Sequence, residues 1–247
     1  MGTSFQPGDI ARAFASRRGW KISKLNILVE GEHEQRYFSL ADRLYRQKEN
    51  KALISTQISI FPTGIGDDGG AFGLQRDFHP LRAIMDVDLS ADGKRACYAV
   101  ALFDDDMPGR RGCNSLTGQH LTYRKWRDVF LLQRLLPRST RSPEQMQKLV
   151  DEANQPWRGI DCEIEDLISI DLLSEFLKGN HKAAEREPQE VAGSVRCSLT
   201  SAGKAQYVRF VEDNALLADV RCLVDFLKSM RYHLGLEPDG DTMPPAV

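Results

Sequence analysis

At 247 residues, 41% of them hydrophobic, the chain is long enough for one large domain, or for a core domain with appendages, around a sizeable core. A formal net charge of −2, from 33 Lys and Arg against 35 Asp and Glu, excludes a chain-wide basic field for nucleic acid and leaves only a local one. No apolar run approaches the roughly 18 residues of a membrane span, and five scattered cysteines without a C-x-x-C pair argue against a disulfide framework or a zinc site, so a cytoplasmic protein with reduced thiols is expected.

Residues 1–20 read as a short N-terminal helix or arm, entered through the Gln6-Pro7-Gly8-Asp9 turn. A short apolar run at 24–29 predicts the first strand, and residues 34–47 carry Tyr37, Leu40, Ala41, Leu44 and Tyr45 at helical spacing. The alternating, β-branched stretch 53–61 predicts a second strand. A Gly-rich loop over 62–73, a helix over 74–87 and an almost continuously apolar third strand at 98–103 follow, the last as expected for a strand covered on both faces. The Gly- and Arg-rich stretch 108–118 reads as a mobile loop, 129–132 as a fourth strand, and 137–160 as an insertion with a short helix at 143–152. Residues 164–177 have a helical pattern, 178–194 read as a surface linker, and further helices are predicted over 201–213 and 215–234. Residues 237–247 read as a disordered tail. Leu223, Val224, Leu227, Met230 and Leu234 give the last helix an apolar stripe, suited to core packing or to docking a partner or second copy. The β-α-β-α-β order predicts an α/β fold with a central, mostly parallel sheet flanked by helices, plus helical C-terminal additions.

Three acidic signatures stand out. Leu25-Asn26-Ile27-Leu28-Val29 stops at Glu30-Gly31, with Glu34 a turn later. Tyr98-Ala99-Val100-Ala101-Leu102-Phe103 stops at Asp104-Asp105-Asp106, closed by Gly109. Glu163, Glu165 and Asp166 gather at a helix start. In an open parallel sheet, ligands bind outside the carboxyl ends of the strands, where Glu30 and Asp104 are expected. Asp104 and Asp106, two apart, are expected to aim at one pocket while Asp105 points away. Carboxylate oxygens suit Mg²⁺, which takes oxygen ligands and keeps several waters. Arg110 and Arg111 follow directly, either as a phosphate grip or as an exposed loop pair. The Gly-rich segment 63–70 lacks a P-loop lysine and reads as a connector rather than a phosphate cradle.

Val29-Glu30-Gly31-x-x-Glu34 after one apolar strand, and Asp104-x-Asp106-x-x-Gly109 after another, resemble the TOPRIM domain over roughly residues 22–170. With Glu163-Ile164-Glu165-Asp166-Leu167 the likeness is greatest to overcoming-lysogenization-defect (OLD) nucleases and stand-alone TOPRIM effectors of bacterial anti-phage systems. The resemblance implies a Rossmann-like catalytic domain at 21–177, after the 1–20 arm and before a helical region at 178–236 packed on the core. It implies Mg²⁺- or Mn²⁺-dependent hydrolysis of DNA or RNA phosphodiesters, with two ions. Glu30 would be a metal ligand or the general acid/base, and Asp104 and Asp106 metal ligands. Glu34 stands where many relatives have Asp, and one of Glu163, Glu165 and Asp166 would serve a second ion. Lys204 would assist at the phosphate. No Walker A sequence is present, so an ATPase would be a separate subunit. A non-catalytic TOPRIM-like binding or regulatory subunit is the alternative, and a phospho-acceptor domain a third.

Overall fold

A computed structural model of the chain describes residues 6–64, 69–118, 123–139, 142–186, 188–191 and 194–243. Part of the Gly-rich segment, 65–68, lies outside the described residues. The chain divides into two compact units, each built from separated stretches of sequence.

The first unit comprises Met1–Glu32, Ile54–Phe103 and Met107–Leu131. Its centre is a parallel four-stranded sheet of β1 (Leu25–Val29), β3 (Ile58–Pro62), β4 (Tyr98–Phe103) and β5 (Val129–Leu131), in the order β3-β1-β4-β5. Leu25 lies opposite Ile58 and Tyr98, and Val29 opposite Pro62 and Leu102. The α/β class and a parallel, Rossmann-like sheet follow directly. Ile27, Leu28 and Val29 of β1 and Ala99 to Phe103 of β4 are buried, as their unbroken apolar runs require of central strands. Buried Asn26 is the exception; its side-chain amide donates to the carbonyls of Ser23 and Tyr98, so the polar group is satisfied.

Helix α1 (Asp9–Arg17) packs against α3 (Gly70–Val87), and the Asp88 carboxylate accepts the N–H groups of Gly8, Ile10 and Ala11 at the start of α1. An anion is favoured there by the unpaired amides of a first turn. The expected mobile loop at 108–118 is instead helix α4 (Met107–Leu116). Pro108 suits a first turn, and Gly112 lies so close to Phe103 that an added Cβ would come within 2.6 Å of the ring. The small residues that read as loop formers serve helix-to-strand contact. Tyr123 and Trp126 are buried anchors.

The second unit comprises His33–Leu53, Asp104–Asp106 and Leu132–Val247. Helix α2 (Glu32–Glu49) buries Tyr37, Phe38, Leu40, Ala41 and Tyr45, and α8 (Arg221–His233) buries Leu223, Val224, Phe226, Leu227 and Met230. Phe38 and Phe226 stack with centroids 6.0 Å apart. Helix α5 (Pro143–Ala153) starts with a Ser142–Gln145 capping box. The continuous helix expected over 164–177 is two elements, a 3-10 turn (Ile164–Leu167) and α6 (Ile170–Gly179). Ile168 turns extended and the Ser169 hydroxyl caps the new helix through the Leu172 N–H, an interruption that apolar spacing alone does not reveal.

The surface linker expected at 178–194 contains a 3-10 turn (His181–Ala183) and a hairpin of β6 (Gln189–Val191) and β7 (Ser194–Arg196). Helix α7 (Ser201–Asn214) follows, with Thr200 as its cap. The segment read as a disordered tail forms β8 (Asp241–Thr242), which pairs antiparallel with β2 (Lys51–Ala52). Fully buried Arg231 donates to the carbonyls of Leu53 and Glu237, both at 2.7 Å, and to Asp241 at 2.8 Å, and so fastens that pairing. Residues 244–247 lie outside the described residues. No helix among the described residues is long and apolar enough to cross a membrane.

Candidate functional site

In the first unit, β1 leads to β3 on one side and β4 begins on the other, so the sheet changes direction between β1 and β4. Such a switch point opens a crevice at the carboxyl ends of the two strands. Glu30 follows β1 there, half-buried, and Asp104 follows β4 in sequence. The Glu30 carbonyl accepts the Gly70 N–H at 3.0 Å and the Val29 carbonyl accepts that of Thr63, also at 3.0 Å, which fix the backbone where β1 ends. Arg110 and Arg111 lie on α4, Arg110 half-buried and Arg111 exposed.

The second unit holds Glu34, Asp104, Asp106, Glu163, Glu165, Asp166 and Lys204. Asp105 pairs with Cys162 through reciprocal backbone hydrogen bonds of 2.9 and 3.1 Å, so the second and third acidic signatures lie side by side. The Asp105 carboxylate accepts Gln133 Nε2 at 2.8 Å. Burial pushes the Cys162 thiol well above its ordinary pKa, so it is a packing group rather than a nucleophile.

The third signature separates by role. Asp166 accepts the Glu163 N–H at 2.9 Å and meets Arg134 at 3.3 Å. Glu163 accepts Lys204 Nζ at 2.7 Å. Glu165 is 7% exposed, and neither carboxylate oxygen has a hydrogen-bond partner among the described residues; Lys204 Nζ stands 3.9 Å away. The buried hydroxyls of Tyr37 and Tyr207 also lack partners among the described residues; burial raises the pKa of both, and the charge of Glu165 adds to the rise. Each unmatched buried polar group costs about 1–3 kcal/mol, and such clusters concentrate at functional sites.

Burial opposes the charge of Lys204, yet Glu165 and Glu163 outweigh it and hold its pKa above the ordinary lysine value. Gly203 keeps that lysine in place: an added Cβ would meet the Ala183 carbonyl oxygen at 2.2 Å, so the first turn of α7 lies directly on this backbone. Burial lifts the Glu165 carboxyl to about 7 against the pull of Lys204, with Glu34 and Glu163 adding to the rise. A folded pKa above the unfolded value of about 4.5 means a contribution fully present below pH 4.5 and lost as pH rises through 7. Glu165→Gln stays neutral, so its stability relative to wild type is expected to grow by up to about 3 kcal/mol between pH 5 and pH 8. Urea denaturation at both pH values checks this, and a pH-independent difference would refute it.

Tyr37 and Gln133 were not legible as site residues: a tyrosine at helical apolar spacing reads as core, and Gln133 carries no motif. Tyr207 lies in a helical stretch and carries no motif of its own either. An all-carboxylate donor set has the chemistry for a hard divalent cation, and the unmatched oxygens of Glu165 fit one. The described residues, however, do not gather three His, Cys, Asp or Glu into a group that could hold a metal ion. Comparison with protein-family models, with curated proteins and with solved structures finds no match for the chain.

Proposed function

We propose that the protein is a TOPRIM nuclease that hydrolyses DNA or RNA phosphodiesters with Mg²⁺ or Mn²⁺. In the cell it serves as the toxic effector of an anti-phage system, restrained by a separate ATPase subunit. The supporting observation is the switch point between β1 and β4, two adjacent parallel strands that each run directly into a carboxylate, Glu30 after one and Asp104 after the other. Glu30, Asp104 and Asp106 would hold the ion, and Glu165 would serve a second. Bound there, the metal would lower the pKa of a water and neutralise charge developing on phosphate.

The chain's own groups fit the remaining tasks. Lys204 stays protonated and can donate to a phosphate oxygen, while Glu163 orients its ammonium. Arg110 and Arg111 are suited to flanking phosphates through their guanidinium forks.

A non-catalytic TOPRIM-like binding or regulatory subunit is favoured by a different observation: Glu163, Asp105 and Asp166 already have protein partners, and the described residues show no three-ligand group. Cleavage of plasmid, linear DNA and tRNA, by the chain alone and with an ATPase encoded beside it, separates the two. The nuclease reading expects cleavage with Mg²⁺ or Mn²⁺ and none with EDTA. No cleavage in any of these mixtures, with no heat on titration with Mn²⁺, would leave the binding subunit.

A further inference from the structure

Away from the acidic cluster, the second unit contains a pocket of about 420 Å³ between the segment after β5, the end of α5 and α8. That volume lies within the range of small-molecule sites, roughly 300–1,000 Å³. Its walls include the buried apolar side chains of Leu136 and Phe226. Its polar lining is weighted to cations and donors: Arg134, Arg138 and the buried hydroxyl of Ser229, against the single acid Asp225. Asp225 is half exposed and already faces Arg221 at 3.3 Å.

Arg134 is the informative residue. Its side chain is 6% exposed, and one terminal nitrogen meets Asp166 at 3.3 Å. Its Nε is buried with no hydrogen-bond partner among the described residues. A guanidinium has five N–H donors, so one carboxylate contact leaves capacity that burial makes costly to waste. Arg138 contributes a second guanidinium, whose Nε reaches Ser229 Oγ only at 3.4 Å, a long bond readily exchanged for a stronger acceptor. Two guanidiniums and a hydroxyl beside an apolar wall match an anionic head on a flat apolar body. Phosphate is a head with enough oxygens to accept from two arginine forks and a hydroxyl at once.

We propose that this pocket binds an organic phosphate of nucleoside monophosphate size, with the phosphate on Arg134, Arg138 and Ser229 and the ring system against Leu136 and Phe226. The inference does not rest on the nuclease reading, because binding alone tests it. Calorimetric titration of the full chain with AMP, UMP, adenosine and inorganic phosphate is the experiment. At least one of AMP and UMP should bind, and adenosine and phosphate should each bind more weakly by about tenfold or more, since each supplies half of the contacts. Arg138 is exposed, so Arg138→Ala should keep the far-ultraviolet circular dichroism and melting temperature of wild type while weakening nucleotide binding by about tenfold, and Arg138→Lys should recover part of the loss. Glu30→Gln should leave nucleotide affinity unchanged, whatever it does to cleavage. Absence of binding by both nucleotides, adenosine binding as tightly as AMP, or nucleotide affinity unaffected by Arg138→Ala would each overturn the proposal.

Discussion

Glu30→Gln and Asp104→Asn are each expected to lower metal-dependent cleavage by about 10²–10³-fold, the range for removing one electrostatic contact made in a transition state. Both exchanges keep side-chain size and remove one anionic oxygen, the ligand that a hard cation requires. Both residues are half-buried at strand ends, so the fold should tolerate the change and the thermal midpoint should stay near that of wild type. Asp105→Asn is the informative neighbour. An amide oxygen still accepts the Gln133 hydrogen bond, so this variant should keep most of its activity. Initial rates at saturating Mg²⁺ check the series. Full activity in both Glu30→Gln and Asp104→Asn would remove the switch point from the mechanism.

Asp128→Ala is expected to destabilise the first unit by about 3–5 kcal/mol, the cost of stranding a buried charge. Asp128 is fully buried and accepts Arg82 at 3.0 Å, Tyr98 at 2.6 Å, Arg127 Nε at 2.8 Å and the Arg124 N–H at 2.9 Å. Arg82 is itself buried and lies over the Tyr98 ring at 3.9 Å, so among the described residues its guanidinium retains only the half-buried Asp86 as an anionic partner without Asp128. Burial raises the Asp128 pKa, but Arg127, Tyr98, the Arg124 amide and Arg82 together bring it below the ordinary value of 3.8. A depressed folded pKa means stability present above about pH 4 and lost as pH falls through the folded value. The difference between wild type and Asp128→Ala should therefore be widest near pH 7 and narrow below pH 4. Urea denaturation at pH 7, 4 and 3 measures it; a constant difference would show that the charge is not what stabilises.

Strands β1 and β4 were legible because burial on both faces demands unbroken apolar runs, and a carboxylate at the end of such a run is conspicuous. Helix α4 was not, because Gly109 and Gly112 are poor helix formers in isolation and the value of Gly112 lies in contact with Phe103. Tertiary packing overrode propensity there. Strand β8 and the hairpin of β6 and β7 are too short for any periodicity to announce. At the candidate site, the approach of Asp105 to Cys162 uses only backbone groups, which every residue carries, so no side-chain pattern records it. The unmatched state of Glu165, Tyr37 and Tyr207 is likewise a property of surroundings assembled from distant segments.

The clasp of β2 and β8 sets an order of events during synthesis. The first unit has all its strands once residue 131 has left the ribosome. The β2–β8 pairing of the second cannot form until residues near 241 emerge to meet 51–52 and to supply the carboxylate for Arg231. Helix α2, made early, must wait with its apolar face uncovered while most of the chain is translated. At about 5–20 residues per second that delay lasts on the order of ten seconds or more. Throughout it the Tyr37–Phe38–Leu40–Ala41 surface is open to chaperones and to misassociation.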